Sequence, residues 1–84
     1  MNYWTIIDVD YNPVRIKTKS YGQFIVKADV NEMLKFNNLE NAYTALSTFN
    51  RVIEENETYR IDAKLPLQIG VVEVDIKIYP QEEN

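Results

Sequence analysis

Three segments near the start of the chain have hydrophobic patterns that predict β-strands, and apolar and polar residues alternate clearly in the second of them. Residues 3–9 are rich in β-branched and aromatic side chains and are apolar on both faces, which is typical of a central strand covered on both sides. Residues 14–19 place Val14 and Ile16 on one face and three basic residues on the other. Together with residues 23–27, these segments predict an antiparallel meander.

The clearest predicted element is a long helix over residues 38–55. Apolar residues recur at helical spacing from Leu39 to Ile53, and neither Gly nor Pro interrupts the segment. The stretch Asn37-Asn38-Leu39-Glu40 supplies a cap and a glutamate in the first turn, and Asn56 is suited to the left-handed position just beyond the end of the helix. The face expected to be buried consists of Leu39, Ala42, Tyr43, Leu46, Phe49, Asn50 and Ile53.

Three shorter segments connect these elements. Asp29 followed by Glu32 is a variant of the capping box, which favours one or two helical turns there, with a continued strand as the alternative. Residues 58–61 fit either a short strand or a connection. Pro66 restricts residues 65–67 to an edge strand or a loop, because proline donates no hydrogen bond to a sheet.

The last part of the chain predicts one more strand and completes the fold class. Gly70 interrupts the pattern, residues 71–79 then alternate closely, and residues 81–84 form a frayed polar tail. One face of this strand carries Val72, Val74, Ile76 and Ile78. We expect a single α+β domain over residues 1–84, with an antiparallel sheet of four to five strands and the long helix packed on one face.

The first strand also raises the question of oligomeric state. Because it is apolar on both faces, the side of the sheet opposite the long helix needs cover. The predicted short helix near residue 30 and the segment 65–69 are one source of that cover. A second copy of the protein is the other, and it predicts a homodimer through that face.

Composition removes several kinds of chemistry from consideration. The 84 residues include no His and no Cys, so the usual proton carrier at neutral pH, cysteine-based zinc sites and Cys–His or Ser–His pairs are missing. The two glycines, Gly22 and Gly70, are too far apart for a phosphate-binding loop or a dinucleotide-binding fingerprint. We therefore expect a protein that is not an enzyme and needs no cofactor and no metal.

The chain carries no sign of a membrane segment. No apolar run approaches the ~18 residues of a membrane span, and the first residues lack the basic segment of a signal peptide. We expect a soluble cytoplasmic protein.

Residues 8–13, D-V-D-Y-N-P, have the beginning of a calcium-binding loop. Two Asp and one Asn supply oxygen atoms at the first, third and fifth positions of such a loop. The sixth position needs Gly but holds Pro13, and the twelfth needs Glu but holds Lys19. We therefore interpret the segment as a hairpin connection that presents Tyr11 at an exposed tip.

Charge is unevenly distributed along the chain. Residues 1–27 hold four bases and two acids, a net of +2, whereas residues 28–84 hold five bases and eleven acids, a net of −6. The overall charge of −4 argues against nucleic acid as the partner. A local basic strip keeps nucleic acid as an alternative partner. In that case the cations would follow the phosphates, and Tyr11 or Tyr21 would stack on a base. The strip comprises Arg15, Lys17, Lys19 and Lys27, and its other interpretation is a solvated face that discourages edge pairing.

Carboxylates and tyrosines supply the remaining candidates. An acidic cluster comprises Glu54, Glu55 and Glu57, with Asp62, Glu82 and Glu83 as further members. It fits either a phosphate mimic or an ordinary solubilising surface. Among the six tyrosines, Tyr11, Tyr21 and Tyr79 fall at turns or outward positions, where tyrosine favours protein interfaces.

The run K-F-N-N-L-E-N-A-Y-T-A-L at residues 35–46, with the W-T-I-I-D start and the V-V-E-V-D-I-K-I end, resembles small orphan accessory proteins of phages and prophages of low-GC Gram-positive bacteria. The resemblance implies a protein that binds and disables a host protein such as a defence nuclease. Our leading hypothesis is therefore a non-catalytic module that binds and inhibits or modulates a host protein, using Tyr and carboxylate side chains. A nucleic-acid-binding module and a self-associating assembly protein are the alternatives.

Overall fold

The computed structural model describes residues 2–73 and 77–81. In chain order its elements are β1 (Tyr3–Ile7), β2 (Val14–Lys19), β3 (Gly22–Lys27), α1 (Leu39–Glu55), a 3-10 helix (Thr58–Arg60), β4 (Gln68–Val72) and β5 (Ile78–Pro80). The helix α1 contacts β1, β3 and β4. One helix packed against antiparallel strands confirms the α+β class. Within the described ranges, no helix has the length and apolar character needed to cross a membrane.

The strands form two antiparallel sheets where the sequence predicts one. β4 lies between β1 and β5 in the first sheet, and β2 pairs with β3 in the second. The predicted meander is therefore right for β2 and β3 but wrong for β1, which pairs with the distant β4. A single bridge, between Ile7 and Pro13, connects β1 to the segment just before β2.

The predicted final strand over residues 71–79 is also divided. β4 ends and β5 begins inside it, and the two strands pair as an antiparallel hairpin. The backbone N–H of Glu73 donates to the carbonyl of Lys77 at 3.0 Å. Residues 74–76 of the predicted strand lie outside the described residues.

Two boundaries near the C-terminus differ from the prediction. Gly70 lies inside β4, and a Cβ there would approach two methyl groups of Ile7 to 3.0 Å, so its small size allows close packing on β1. The predicted tail over residues 81–84 is wrong for Gln81, whose N–H donates to the Ile69 carbonyl at 2.9 Å. Residues 82–84 lie outside the described residues. The segment 65–67 is a loop, one of its two predicted alternatives.

Helix α1 forms where the sequence predicts it. The Asn38 side chain accepts a hydrogen bond from the N–H of Asn41 at 2.8 Å and so caps the first turn. Ala42, Phe49 and Val52 are its most buried residues. Tyr43 and Asn50 were expected in the buried face but are exposed, because they lie on one flank of the stripe that contacts the sheets.

The end of α1 differs from the predicted left-handed cap. Asn56 has an extended backbone, with φ −120° and ψ 160°. Its side-chain Nδ2 donates to the Val52 carbonyl at 2.7 Å, which satisfies one of the last carbonyls of the helix without a left-handed residue.

The segment around residue 30 forms a turn without a helix. Asp29 nevertheless accepts hydrogen bonds from the N–H groups of Asn31 and Glu32 at 2.9 and 3.0 Å. The capping interactions that the sequence indicates are therefore present, but no helix follows them. The prediction of one or two helical turns is wrong there.

The core lies between α1 and the strands. Its buried members are Ile6, Val14, Ile25, Ala42, Phe49, Val52, Leu67 and Ile69. On the opposite face of β1, Thr5 and Ile7 are also fully buried, so both faces of β1 are covered as predicted, although β1 ends the strand order of its sheet. This cover comes from the single chain, which removes the original reason for a homodimer. The homodimer itself stays a prediction.

Replacing Asn38 with Ala should lower the free energy of unfolding by about 1 kcal/mol, because the first turn of α1 loses its side-chain cap. Urea unfolding followed by circular dichroism measures this change. The matched control is Asn37→Ala at the preceding exposed position, which should change stability by no more than about 0.5 kcal/mol. Equal losses in both variants would contradict the role given to Asn38.

Candidate interaction surface

The segment with the beginning of a calcium loop folds around the buried carboxylate of Asp8. Its Oδ1 accepts from the backbone N–H groups of Asp10 and Asn12 at 2.9 and 3.0 Å. Its Oδ2 lies 3.4 Å from both Asn12 Nδ2 and the N–H of Lys64. Donors of the chain itself therefore surround the carboxylate, as in the turn that the sequence predicts. In the part of the chain that the structure describes, no three carboxylates come together as a metal site.

Ionisation of Asp8 stabilises this turn. Burial alone raises the pKa of Asp8, but the hydrogen bonds from Asn12, Lys64 and Asp10 outweigh burial and hold the pKa below its ordinary value of 3.8. The ionised form is therefore favoured in the folded protein.

Tyr11 lies at the exposed tip of this turn, as the sequence predicts. Its backbone is in the left-handed region, with φ 67°, and its N–H donates to the Asp8 carbonyl at 3.1 Å. An ion pair of 2.9 Å between Asp10 and Lys64 lies beside it. Both partners are well exposed, so this pair contributes little stability.

A second surface forms where the 3-10 helix packs against the β2–β3 hairpin. The Arg60 guanidinium lies 5.5 Å from the ring centroids of Phe24 and Tyr59. Tyr21 packs edge-on against Phe24 with the centroids 5.7 Å apart. We call Tyr21, Phe24, Tyr59 and Arg60 the aromatic–arginine stack. Tyr59 is 74% exposed and Tyr21 66%, more than any other large apolar side chain in the described ranges.

Arg60 is held in the stack from several directions. Its Nη1 donates to Asn56 Oδ1 at 3.1 Å, and its Nε lies 3.3 Å from the Tyr59 hydroxyl. The backbone after it is tied to β3, because a parallel bridge joins Ile61 to Ile25. The stack is therefore anchored to both α1 and the second sheet.

Gly22 provides the space that Arg60 occupies. A Cβ atom at Gly22 would overlap the guanidinium group of Arg60. Gly22 also has φ 148°, a backbone conformation that residues with a Cβ rarely adopt. Glycine at this turn thus serves both the hairpin and the position of the arginine.

The register of the hairpin places two lysines beside the stack. Lys17 is directly opposite Phe24, and Lys19 is opposite Gly22. Directly opposite residues share a face of an antiparallel pair, so both lysines lie on the face that carries the stack. Among the described residues neither lysine has an ion-pair partner.

The other two members of the predicted basic strip behave differently. Arg15 shares the outer face, but it forms an ion pair of 2.9 Å with Glu32 and is therefore neutralised within the chain. Lys27 is opposite Val14, which is fully buried, so it belongs to the inner face of the hairpin. The prediction of one strip is thus wrong for Lys27.

The three central members of the acidic cluster lie at the end of α1 and just beyond it. Glu54 and Glu55 lie in its last turn, Glu57 precedes the 3-10 helix, and all three are exposed. Within residues 2–73 and 77–81 none of them has an ion-pair partner. The last turn of α1 carries no basic residue of its own, and the nearby cation is Arg60, which donates to Asn56 at the helix end.

The three predicted interface tyrosines do not come together. Tyr11 is at the tip after β1, Tyr21 is in the β2–β3 turn, and Tyr79 is in β5 of the other sheet. The Tyr79 hydroxyl donates to Glu73 at 2.7 Å, and this hydrogen bond raises the pKa of Tyr79. Among these three tyrosines, only Tyr21 has a contact with another aromatic ring within the described residues, that of Phe24.

Phe24, Tyr59 and Arg60 were not among the candidates from the sequence. Tyr59 and Arg60 lie in a segment that the sequence predicts as a short strand or a connection. Their contact with β3 depends on pairing between Ile25 and Ile61, which are far apart in the chain. The one local sequence signal for this surface is Gly22. A glycine there indicates a turn, but it does not indicate that an arginine occupies the space beside it.

Two shallow cavities of about 290 Å³ each lie on either side of Gln81. Trp4 and Tyr79 line the first, and Tyr43 and Gln68 are among the residues that line the second. Trp4 Nε1 donates to Gln81 Oε1 at 3.0 Å between them. The described lining residues include no carboxylate, Lys or Arg.

Comparison of the chain with protein families, with curated proteins and with solved structures gave no match.

Asp8→Asn should lower the free energy of unfolding by about 2 kcal/mol at neutral pH, because a buried carboxylate that accepts hydrogen bonds is replaced by an amide. Because folding lowers the pKa of Asp8, its stabilising effect is present above pH 3.8 and is lost as the pH falls through the folded-state value. The stability difference between wild type and variant should therefore shrink in acid. Urea unfolding over a pH series measures it.

The matched control for this experiment is Asp10→Asn, which removes an exposed carboxylate from the same turn. It should change stability by less than about 1 kcal/mol at neutral pH. A stability difference for Asp8→Asn that stays constant into acid would contradict the ionised role of Asp8. Addition of calcium or of a chelator should leave the melting temperature of the wild type unchanged.

Proposed function

We propose that this chain is a non-catalytic protein-interaction module that uses the aromatic–arginine stack as its contact surface. The observation that carries the proposal is that two highly exposed tyrosines belong to one packed group: Tyr59 packs against Arg60, and Tyr21 packs against Phe24, whose ring also contacts Arg60. Tyr and Arg are enriched among the residues that supply most of the binding energy at protein interfaces. Adjacent exposed rings, in contrast to scattered ones, mark interaction sites.

The fixed position of Arg60 supports the same function. A free arginine side chain loses rotamer freedom when a partner immobilises it, which costs about 0.5–1.5 kcal/mol. Here Asn56 and two rings already restrain the guanidinium group. Binding at this surface would therefore lose less entropy than binding at an unrestrained arginine.

The wider role is the one that the resemblance to phage and prophage accessory proteins implies. In this role the partner is a protein of the bacterial host, such as a defence nuclease, and binding inhibits or modulates it in the host cytoplasm. An exposed contact surface is sufficient for this role, since a binding inhibitor needs no chemistry of its own.

Single-stranded nucleic acid is the second candidate partner. The observation in its favour is that Lys17 and Lys19 lie on the same face as the exposed rings. Lysines that follow phosphates, beside rings that stack on bases, are the usual combination in proteins that bind single strands. The acidic residues that flank Asn56 on the other side of the stack oppose it.

The immobilised full chain, exposed to a lysate of a low-GC Gram-positive bacterium, should capture one stoichiometric protein partner. Tyr59→Ala should reduce the recovered partner at least tenfold, because it removes a central exposed ring. Tyr11→Ala and Tyr79→Ala are the matched variants, since both residues are exposed tyrosines outside the stack, and both should retain the partner.

Circular dichroism and thermal melting must show that all three variants fold. Retention of the partner by Tyr59→Ala would contradict the stack as the contact surface. Loss of the partner with Tyr11→Ala alone would instead assign the contact to the tip after β1.

Labelled oligothymidylate should show no binding to the wild type by fluorescence anisotropy at about 0.15 M salt. The physical reason is the overall charge of −4, which opposes a phosphate backbone. Binding that weakens steeply with salt and is lost in the double variant Lys17→Glu with Lys19→Glu would support the nucleic-acid function. In that case Lys27→Glu, on the inner face, should leave binding unchanged.

A further inference from the structure

We infer that the aromatic–arginine stack binds a protein segment in which an aromatic residue separates carboxylates on one side from basic residues on the other. This inference rests on the proposed function and specifies the chemistry of the partner at the same surface. It follows from the order in which charges and rings lie across that surface.

The basic side of the surface is β2. Lys17 lies directly opposite Phe24, and Lys19 lies opposite Gly22, so both lysines border the ring of Phe24 and the Arg60 guanidinium beside Gly22. Both are exposed, and no described carboxylate pairs with either. This side of the stack therefore favours carboxylates in a partner.

The acidic side of the surface is the end of α1. Arg60 connects the stack to the end of α1, because its Nη1 donates to Asn56 Oδ1 at 3.1 Å. Glu55 and Glu57 flank Asn56 in the chain, and both are exposed and without an ion-pair partner in the described ranges. The negative end of the helix dipole adds to their field. This side therefore favours lysine or arginine in a partner.

The rings and the guanidinium group lie between the two charged sides. Tyr59 is 74% exposed and offers a ring on which an aromatic side chain can stack, with Arg60 packed beside it. A partner that places an aromatic residue here brings its flanking residues over Lys17 on one side and Glu55 on the other. Charges of matching order would then pair on both sides.

This order of charges distinguishes a protein from a nucleic acid. A phosphate backbone is negative along its whole length, so the part that reaches Glu55 and Glu57 would be repelled. A polypeptide can carry both signs of charge within a few residues. The same surface can also match a second copy of itself, since Lys17 of one copy could meet Glu55 of another about a two-fold axis.

Four probes test the inference by their effect on backbone amide signals of the full chain in two-dimensional nuclear magnetic resonance spectra. The first is an ordered peptide with a central Trp, two Glu on one side and two Lys on the other. The second has the same composition with alternating charges, the third is neutral, with Gln in place of Glu and Lys, and the fourth is oligothymidylate. Light scattering on the free chain comes first and measures self-association.

The ordered peptide should bind about fivefold more tightly than the alternating peptide, a difference that several exposed charge pairs supply together. Its largest signal changes should fall at Lys17, Phe24 and Tyr59. The double variant Lys17→Glu with Lys19→Glu should lose the preference for the ordered peptide. The matched variant Lys27→Glu, on the inner face of the hairpin, should keep it.

Other outcomes overturn the inference in distinguishable ways. Equal binding of the three peptides at the stack overturns the inference and leaves the proposed function standing. Signal changes elsewhere, or no binding at all, count against both. Tighter binding of oligothymidylate assigns the surface to nucleic acid. Self-association of the free chain in light scattering is a further outcome. If the double variant Lys17→Glu with Lys19→Glu abolishes this self-association and Lys27→Glu does not, the surface is assigned to a second copy of the chain.

Discussion

The buried carboxylate of Asp8 is the interaction on which the arrangement of the two sheets depends. A charge without exposed surface needs hydrogen-bond donors, since an unpaired buried ion costs several kcal/mol. The donors come from the turn that follows, at Asp10 and Asn12, and from Lys64, which precedes β4. Satisfying this one group therefore reverses the chain after β1 and fastens the approach to β4 beside it. Beyond the turn, Pro13 bridges to Ile7, and β1 pairs along its length with β4.

The parts of the fold that the sequence could predict are those that depend on local signals. Helix α1 depends on spacing and on a cap within a few residues of its start, so local signals were sufficient. The partner of β1 is a non-local choice, since Ile7 pairs with Gln68, and nothing in the alternation of residues 3–9 distinguishes a neighbouring hairpin from a distant strand. Residues 71–79 gave a similar ambiguity, because alternation is the same in one long strand and in the two strands of a hairpin.

The candidate surface was less predictable than the fold. Tyr21 and the lysines could be assigned from their positions at a turn and on alternating residues. The face of Lys27 depends on the register of β2 against β3, which the two-residue turn sets and which alternation within β2 alone does not contain. Arg60 enters the site through pairing between Ile25 and Ile61, together with the space beside Gly22. Contacts of this kind arise from tertiary structure, so no motif announces them.

The stack also differs from the core in what it contributes to the free chain. Exposed cation–π contacts add only about 0.5–1 kcal/mol each. The stack therefore stabilises the isolated domain only slightly, although it leaves aromatic surface exposed to water. Its hydrogen bond to Asn56 and its two ring contacts instead fix where a cation and two rings are presented. Such a surface is ordered although its order adds little to the stability of the fold. Its cation–π contacts and hydrogen bonds have their largest effect when a partner covers them, because removal of water strengthens them. In the role that we propose, Lys17 on one side and Glu55 on the other would decide which partner gains from that strengthening.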